Sequence, residues 1–270
     1  MNEPSHSRGS GRRVRWTVGL SLLAPIVVLA VVIVSQRHDP YMPPQDPLSA
    51  GLSKASTPGG EPLTVVEQGF TAFAEDRALS YGFVLANSSG LLAQEVRVDV
   101  QALDRDGLPV SDVSWTAIVK RVPAGAAVGH GGTVRLRLAD AAIDDVAGLD
   151  IEVRDTQAWW ADDGSVAAEL TTSAADPVLG PLVEDGEQSV EFTLSKTGVA
   201  QYRADLNLVF RDGSGLVVGG CSKAADVERP SERMMVLCRI PDGADVAATE
   251  IYTDAHWTIP ILPYPYPPES

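Results

Sequence analysis

The sequence predicts an all-β protein, built as two tandem antiparallel β-sandwiches behind a single N-terminal transmembrane helix. Three observations carry that reading. One apolar run, Trp16 to Val34, contains no charged residue. Beyond it, apolar residues recur with the period of a half-buried strand and not that of a helix. The period-two segments then recur in the same order twice along the chain.

The composition sets bounds on function. The 270 residues carry a formal charge of −15, and 44% are hydrophobic. That is too apolar for a disordered chain and too acidic for generic nucleic-acid binding, so no nucleic-acid partner is expected. The basic first 37 residues hold five arginines against one glutamate, which leaves −19 on the remainder. Two cysteines exclude both a disulfide-dense miniprotein and a four-cysteine zinc site.

Residues 1–15 form a basic N-terminus with Arg8, Arg12, Arg13 and Arg15. Residues 16–36 are the membrane segment. Their apolar run would extend about 28 Å as a helix, close to a hydrocarbon core of about 30 Å. Only Arg37 follows closely, so the positive-inside rule keeps the N-terminus in the cytoplasm and places everything after Gln36 outside the cell membrane. The competing reading is a cleaved signal peptide with a small-residue site at Val28-Leu29-Ala30. Four β-branched residues follow that site, and the run exceeds a usual signal core. Residues 37–61 read as a stalk, since four prolines before Thr57 and then Pro58-Gly59-Gly60 prevent helix and ladder alike. Residues 259–270 hold five prolines and favour an extended tail.

Between stalk and tail lie two copies of one domain, at 62–160 and 165–258, each with some seven short strands. Val96, Val98, Val100 and Ala102 alternate with Arg97, Asp99 and Gln101. Tyr202, Ala204, Leu206 and Leu208 alternate with Arg203, Asp205 and Asn207. Each segment presents one apolar and one polar face. Turn residues separate them at Asn87-Ser88-Ser89-Gly90, Arg105-Asp106-Gly107, Arg211-Asp212-Gly213 and Pro241-Asp242-Gly243. The repeat matches Phe83-x-Leu85 with Phe192-x-Leu194 and Arg97-x-Asp99-Val100 with Arg203-x-Asp205-Leu206. It also matches Arg105-Asp106-Gly107 with Arg211-Asp212-Gly213, and Arg137-Leu138-x-Asp140 with Arg239-Ile240-x-Asp242. Short, evenly spaced strands of this kind suit an immunoglobulin-like sandwich.

The ordered pattern resembles the FxLYD family of bacterial extracytoplasmic β-sandwich domains. In the first copy the resemblance rests on Asn87-Ser88-Ser89-Gly90, the strand Val100 to Asp104 with the Arg105-Asp106-Gly107 turn, and Pro123-Ala124-Gly125. In the second it rests on Lys196-Thr197-Gly198, the strand Leu206 to Phe210 with Arg211-Asp212-Gly213, and Arg229-Pro230. The resemblance implies an envelope interaction module without a common catalytic site.

Both cysteines fall in the second copy. If the strands carrying Cys221 and Cys238 form a hairpin, its centre is Arg229-Pro230 and the cysteines are equidistant from it. Repeat register replaces Leu136 by Cys238, on the core face. An oxidising exterior then favours a cross-strand disulfide; the alternative, a reactive thiol pair, lacks a CxxC and a flanking histidine.

Catalytic and metal chemistry find little support, and no cofactor is expected. His38, His130 and His256 fall in the stalk, a loop and the tail boundary, without ligand spacing. Gly129-His130-Gly131-Gly132 mimics an oxyanion loop, but no nucleophile elbow accompanies it, so it reads as a glycine-rich turn equivalent to Arg229-Pro230-Ser231-Glu232. Asp104-x-Asp106-Gly107, Asp144-Asp145, Asp162-Asp163-Gly164 and Glu184-Asp185-Gly186-Glu187 read as solvated turns, none having a calcium-loop frame. Trp159-Trp160 stands at the junction between the copies. Adjacent strand residues face opposite ways, so one indole packs inward; the pair reads either as core and interdomain packing or as an exposed aromatic anchor for a partner or glycan. The expected function is therefore non-catalytic binding of an envelope protein or other envelope component. The alternative is a ligand or metal-ion sensor whose two domains reorient about residues 159–165.

Overall fold

The computed structural model describes residues 58–135, 143–154, 159–161, 172–183, 186–196, 202–227 and 229–257, with backbone alone at 111–112, 159, 172–173, 202 and 255–257. The expected membrane segment, stalk and tail lie outside the described residues, apart from the stalk's last residues. Among the described residues the regular structure is all β, with two single-turn 3₁₀ helices at Ala74–Asp76 and Ile143–Asp145.

The first half contains β1 (Leu63–Phe73), β2 (Ala78–Asn87), β3 (Leu92–Leu103), β4 (Pro109–Val122), β5 (Ala127–Arg135), β6 (Gly148–Arg154) and β7 (Trp159–Ala161). The second contains β8 (Thr172–Leu182), β9 (Gln188–Lys196), β10 (Tyr202–Asp212), β11 (Val217–Val227), β12 (Ser231–Cys238) and β13 (Ala244–Trp257). Every pairing is antiparallel. The strand orders are β1-β2-β5 and β4-β3-β6 in the first half, with β7 also on β3, and β8-β9-β12 and β11-β10-β13 in the second. The two halves repeat one connectivity: β1-β2-β5 answers β8-β9-β12, and β4-β3-β6 answers β11-β10-β13.

Each sandwich-like half closes over its own core. Leu79, Phe83 and Leu85 of β2 meet Val96, Val98 and Val100 of β3, with Val119 and Trp160. In the second half Val190, Phe192 and Leu194 of β9 meet Ala204, Leu206, Leu208 and Phe210 of β10. These are the apolar positions of the alternating segments, and each large side chain removed from water contributes about 1.5–3 kcal/mol.

The ladders correct three details of the sequence reading. Phe83 pairs with His130 and Phe192 with Met234, so the GHGG segment is the middle of strand β5 and answers Arg233 to Val236, not a turn answering Arg229 to Glu232. The second correction concerns the disulfide: β11 and β12 belong to different sheets, so they form no hairpin, and Cys221–Cys238 joins the two sheets of the second half with Cα atoms 5.9 Å apart. By ladder register Cys221 answers Val113 and Cys238 answers Val134, two residues before the expected Leu136. The disulfide thus stands where the first copy has two valines.

The turns supply the third correction. Asp104 accepts from the N–H groups of Asp106 and Leu108, and Asp212 accepts from those of Ser214 and Leu216. Asp104 therefore answers Asp212, and Arg105-Asp106-Gly107 answers Gly213-Ser214-Gly215. A register shift between Phe210 and Arg211 accounts for the slip. Arg211 consequently lies on strand β10 while Arg105 lies in an exposed turn.

Candidate functional site

The alternation read from β3 and β10 fails in β2, where nine of the ten residues Ala78–Asn87 are buried. Leu79, Tyr81, Phe83 and Leu85 face the first core. Ala78, Ser80, Gly82 and Val84 face outward, yet they are buried as well, because β11 of the second copy lies across them. Four sheets are therefore stacked, with β1-β2-β5 of the first copy against β11-β10-β13 of the second.

Glycine makes this joint possible. Gly69, Gly82 and Gly131 pair directly with one another and cross the first sheet in a single row. A Cβ on Gly69 would stand 1.7 Å from the Val217 carbonyl oxygen, one on Gly82 2.5 Å from that of Gly219, and one on Gly131 2.0 Å from that of Leu208. Opposite them, a Cβ on Gly220 would stand 2.5 Å from the Gly131 Cα. Backbone thus packs on backbone with no side chain between.

Polar groups fix the register of the joint. The Ser80 hydroxyl donates to the Gly220 carbonyl and accepts from the Gly220 N–H, both at 2.9 Å. Thr71 Oγ1 donates to the Val218 carbonyl at 2.7 Å. Arg211 of β10 pairs with Glu67 of the first copy and, at 3.0 Å, with Glu250 of β13. Those carboxylates, Glu67 first, raise the affinity of the Arg211 guanidinium for its proton. Burial acts to raise the Glu250 pKa, but hydrogen bonds from Arg211 and Tyr252 leave it below the usual carboxylate range. Burial, together with the bond to Glu250, pushes the Tyr252 phenol up. At the other end of the joint Arg239 pairs with Asp76 and stands 4.6 Å from the centre of the Phe73 ring.

His130, on the core side of β5, lies 5.3 Å from the Phe83 ring and 6.2 Å from Tyr81. Burial lowers its pKa to about 4, with Asp205 of the second copy acting in the opposite sense. It is held as a neutral ring among aromatics, and the geometry around it offers no nucleophile.

The remaining predicted positions are placed as follows. Trp160 is 1% exposed and packs inside the first core, so it is the inward indole of the pair; the Trp159 side chain lies outside the described residues. Cys221 and Cys238 are bonded and buried beside the joint. Asp104 serves its own turn. Asp144 and Asp145 form a 3₁₀ turn, while residues 162–164 and 184–185 lie outside the described set. Among the described residues no group of three or more His, Cys, Asp or Glu side chains could hold a metal ion.

The row of the second copy that answers Gly69–Gly82–Gly131 is Val178–Glu191–Met235, joined through the pairings of Glu191 with both neighbours. Here Val178 is 53% and Met235 62% exposed. Leu179, Leu182 and Val183, also exposed, continue the apolar character along and just beyond β8. One copy therefore uses this row to seat a strand, and the other presents it to solvent with apolar side chains.

No protein-family profile matches the chain, and no curated protein matches it. Among solved structures, the C-terminal globular domain of an oligosaccharyltransferase from Pyrococcus abyssi is similar at 6% identity, with a TM-score of 0.19 over 80% of this chain and 52% of that one. The chain spans about half the length of that structure, and a likeness at this level carries no argument.

Proposed function

We propose that the chain is a membrane-anchored, extracytoplasmic, non-catalytic binding protein. In this reading residues 16–36 hold it in the cell membrane, residues 37–61 form a stalk, and two immunoglobulin-like sandwiches of FxLYD type engage an envelope protein. The observation that carries the reading is the row Val178–Glu191–Met235. Its counterpart in the first copy is a protein-binding surface within the chain itself, and exposed apolar side chains on a sheet face mark interaction sites. The glycine joint fixes the two sandwiches as one body, so the second copy's free face is held at a set orientation to the first copy.

The test is site-specific photocrosslinking in native membranes, with the probe at Val178 or Met235 of the full-length protein. A discrete adduct from both positions, lost on substituting Glu191→Lys and absent with the probe at Lys120 on the far sheet, supports the reading. Adducts that are equally diffuse from all three positions overturn it.

A further inference from the structure

A second surface lies where the two copies meet at the disulfide end of the joint. A cleft of about 270 Å³ opens there, with Cys221, Cys238, Leu237 and Ala78 among its lining residues. Its charged lining is Arg135, Lys223 and Arg239 against Asp76 and Glu187. Arg239 and Asp76 neutralise each other within the joint. That leaves Arg135 and Lys223 facing Glu187 alone, a local excess of positive charge on a chain whose formal charge is −15. Neither Arg135 nor Lys223 has an ion pair among the described residues. The hydroxyls of Thr133 and Ser222 line the same cleft and can donate hydrogen bonds.

The repeat explains why cations gather here. Arg135 follows Val134, and Arg239 follows Cys238, at equivalent places in the two copies. Because unlike faces are stacked, these two equivalent arginines converge on one cleft instead of lying on opposite ends of the molecule. Arg239 is used to hold the joint and Arg135 is left over.

We propose that this cleft binds a small dianion, a phosphate or dicarboxylate group, which the Arg135 guanidinium grips through its fork while the Lys223 ammonium closes the other side. A guanidinium matches a planar carboxylate or a phosphate with two parallel hydrogen bonds, and a lysine adds a point charge. The apolar and disulfide floor suits the carbon skeleton of an organic anion. This site is independent of the Val178–Glu191–Met235 surface, and either can fail without the other.

The experiment is isothermal titration of the full-length protein in detergent micelles with inorganic phosphate and, separately, with succinate, both against a chloride background of matched ionic strength. Saturable binding of at least one probe is expected, weakened about tenfold or more by Arg135→Gln or by Lys223→Gln. Both side chains are exposed, so neither substitution threatens the fold. Arg105→Gln, in an exposed turn away from the cleft, is expected to leave the affinity unchanged. Phosphate alone, or succinate alone, identifies which anion the cleft accepts. Absence of saturable heat with both probes, or equal weakening by Arg105→Gln, overturns the proposal.

Discussion

Substituting Gly131→Ala tests the claim that backbone-on-backbone contact joins the two copies. The added methyl group would begin 2.0 Å from the Leu208 carbonyl oxygen and 2.6 Å from the Cys221 nitrogen, both backbone atoms that cannot rotate away. Restoring an ordinary contact near 3.4 Å requires the two sheets to separate by about 1.4 Å, enough to forfeit a large part of the dispersion between them. The same displacement stretches the two Ser80–Gly220 hydrogen bonds from 2.9 Å to about 4 Å, beyond bonding range. Two buried bonds at about 1 kcal/mol each, with about 2 kcal/mol for overpacking, come to about 4 kcal/mol. That is roughly a thousandfold in the opening equilibrium of the joint. Native-state hydrogen exchange at the Gly220 amide reads this directly, because that N–H donates across the joint to the Ser80 hydroxyl. Gly90→Ala is the control, since a Cβ there meets nothing within 4 Å. Amides deep in β3, such as Val98, are expected to keep their protection, because the new methyl group points away from the first core. Unchanged protection at Gly220 in Gly131→Ala refutes the argument; so does equal loss at Gly220 and Val98, which would place the damage in the sandwich itself.

Three further outcomes follow from the same structure. His130 binds a proton in the unfolded chain near pH 6.5 but in the folded one only near 4, so stability is complete above about pH 6.5 and falls as pH drops toward 4, by about 3 kcal/mol in all. His130→Met, which installs the residue of the second copy, is expected to flatten that part of a stability–pH curve measured by denaturant unfolding; an unchanged slope sinks the assignment. Reducing the Cys221–Cys238 bond releases a loop whose closure is worth about 3 kcal/mol on the chain-entropy model, and a Cys221→Val/Cys238→Val chain should unfold at a higher temperature than the corresponding serine pair. Non-reducing peptide mapping that finds two free thiols would remove the basis for that expectation. Arg211→Met leaves Glu67 and Glu250 facing each other without their shared cation, and loss of the cation raises the Glu250 pKa; the joint should weaken by about 1–3 kcal/mol, read as faster exchange at Gly220, and no change there would show that the pair is ornamental.

The sandwich halves were legible because one face of β3 and of β10 carries Arg, Asp, Gln or Asn. A polar face makes the alternation visible, and the turn aspartates Asp104 and Asp212 mark the ends. The cysteines were legible through their core-face parity, although the shared sheet assumed for them was wrong. What could not be read was the joint. Strand β2 carries small or apolar residues on both faces, so alternation is silent about which side meets solvent. The signal was still present in the glycines. Gly69, Gly82, Gly129 and Gly131 sit inside strand-like segments, as do Gly219 and Gly220, and a glycine within a strand marks close approach by another backbone. Reading GHGG as a turn discarded that information. The repeat also concealed the special role of Arg211, since aligning two Arg-Asp-Gly triplets set a joint residue against an exposed turn residue.

The stacking of unlike faces raises the question of where it stops. Each copy carries one sheet of each kind, so a joint between unlike faces leaves one of each kind free, the arrangement that in repeated modules generates open-ended arrays. The free sheet of the second copy answers the glycine-bearing sheet of the first, but its row reads Val178–Glu191–Met235, with Arg233 paired to Glu191 where the first copy has Gly129 and Gly82. A strand cannot approach that row as β11 approaches Gly69, Gly82 and Gly131, because the side chains occupy the space. This exposed face has lost the clearance that the joint requires, so the stack cannot extend through it as it does through Gly69, Gly82 and Gly131. The side chains that keep a strand from approaching this face are the same ones that form the second copy's exposed apolar row, so both properties are set by one group of residues.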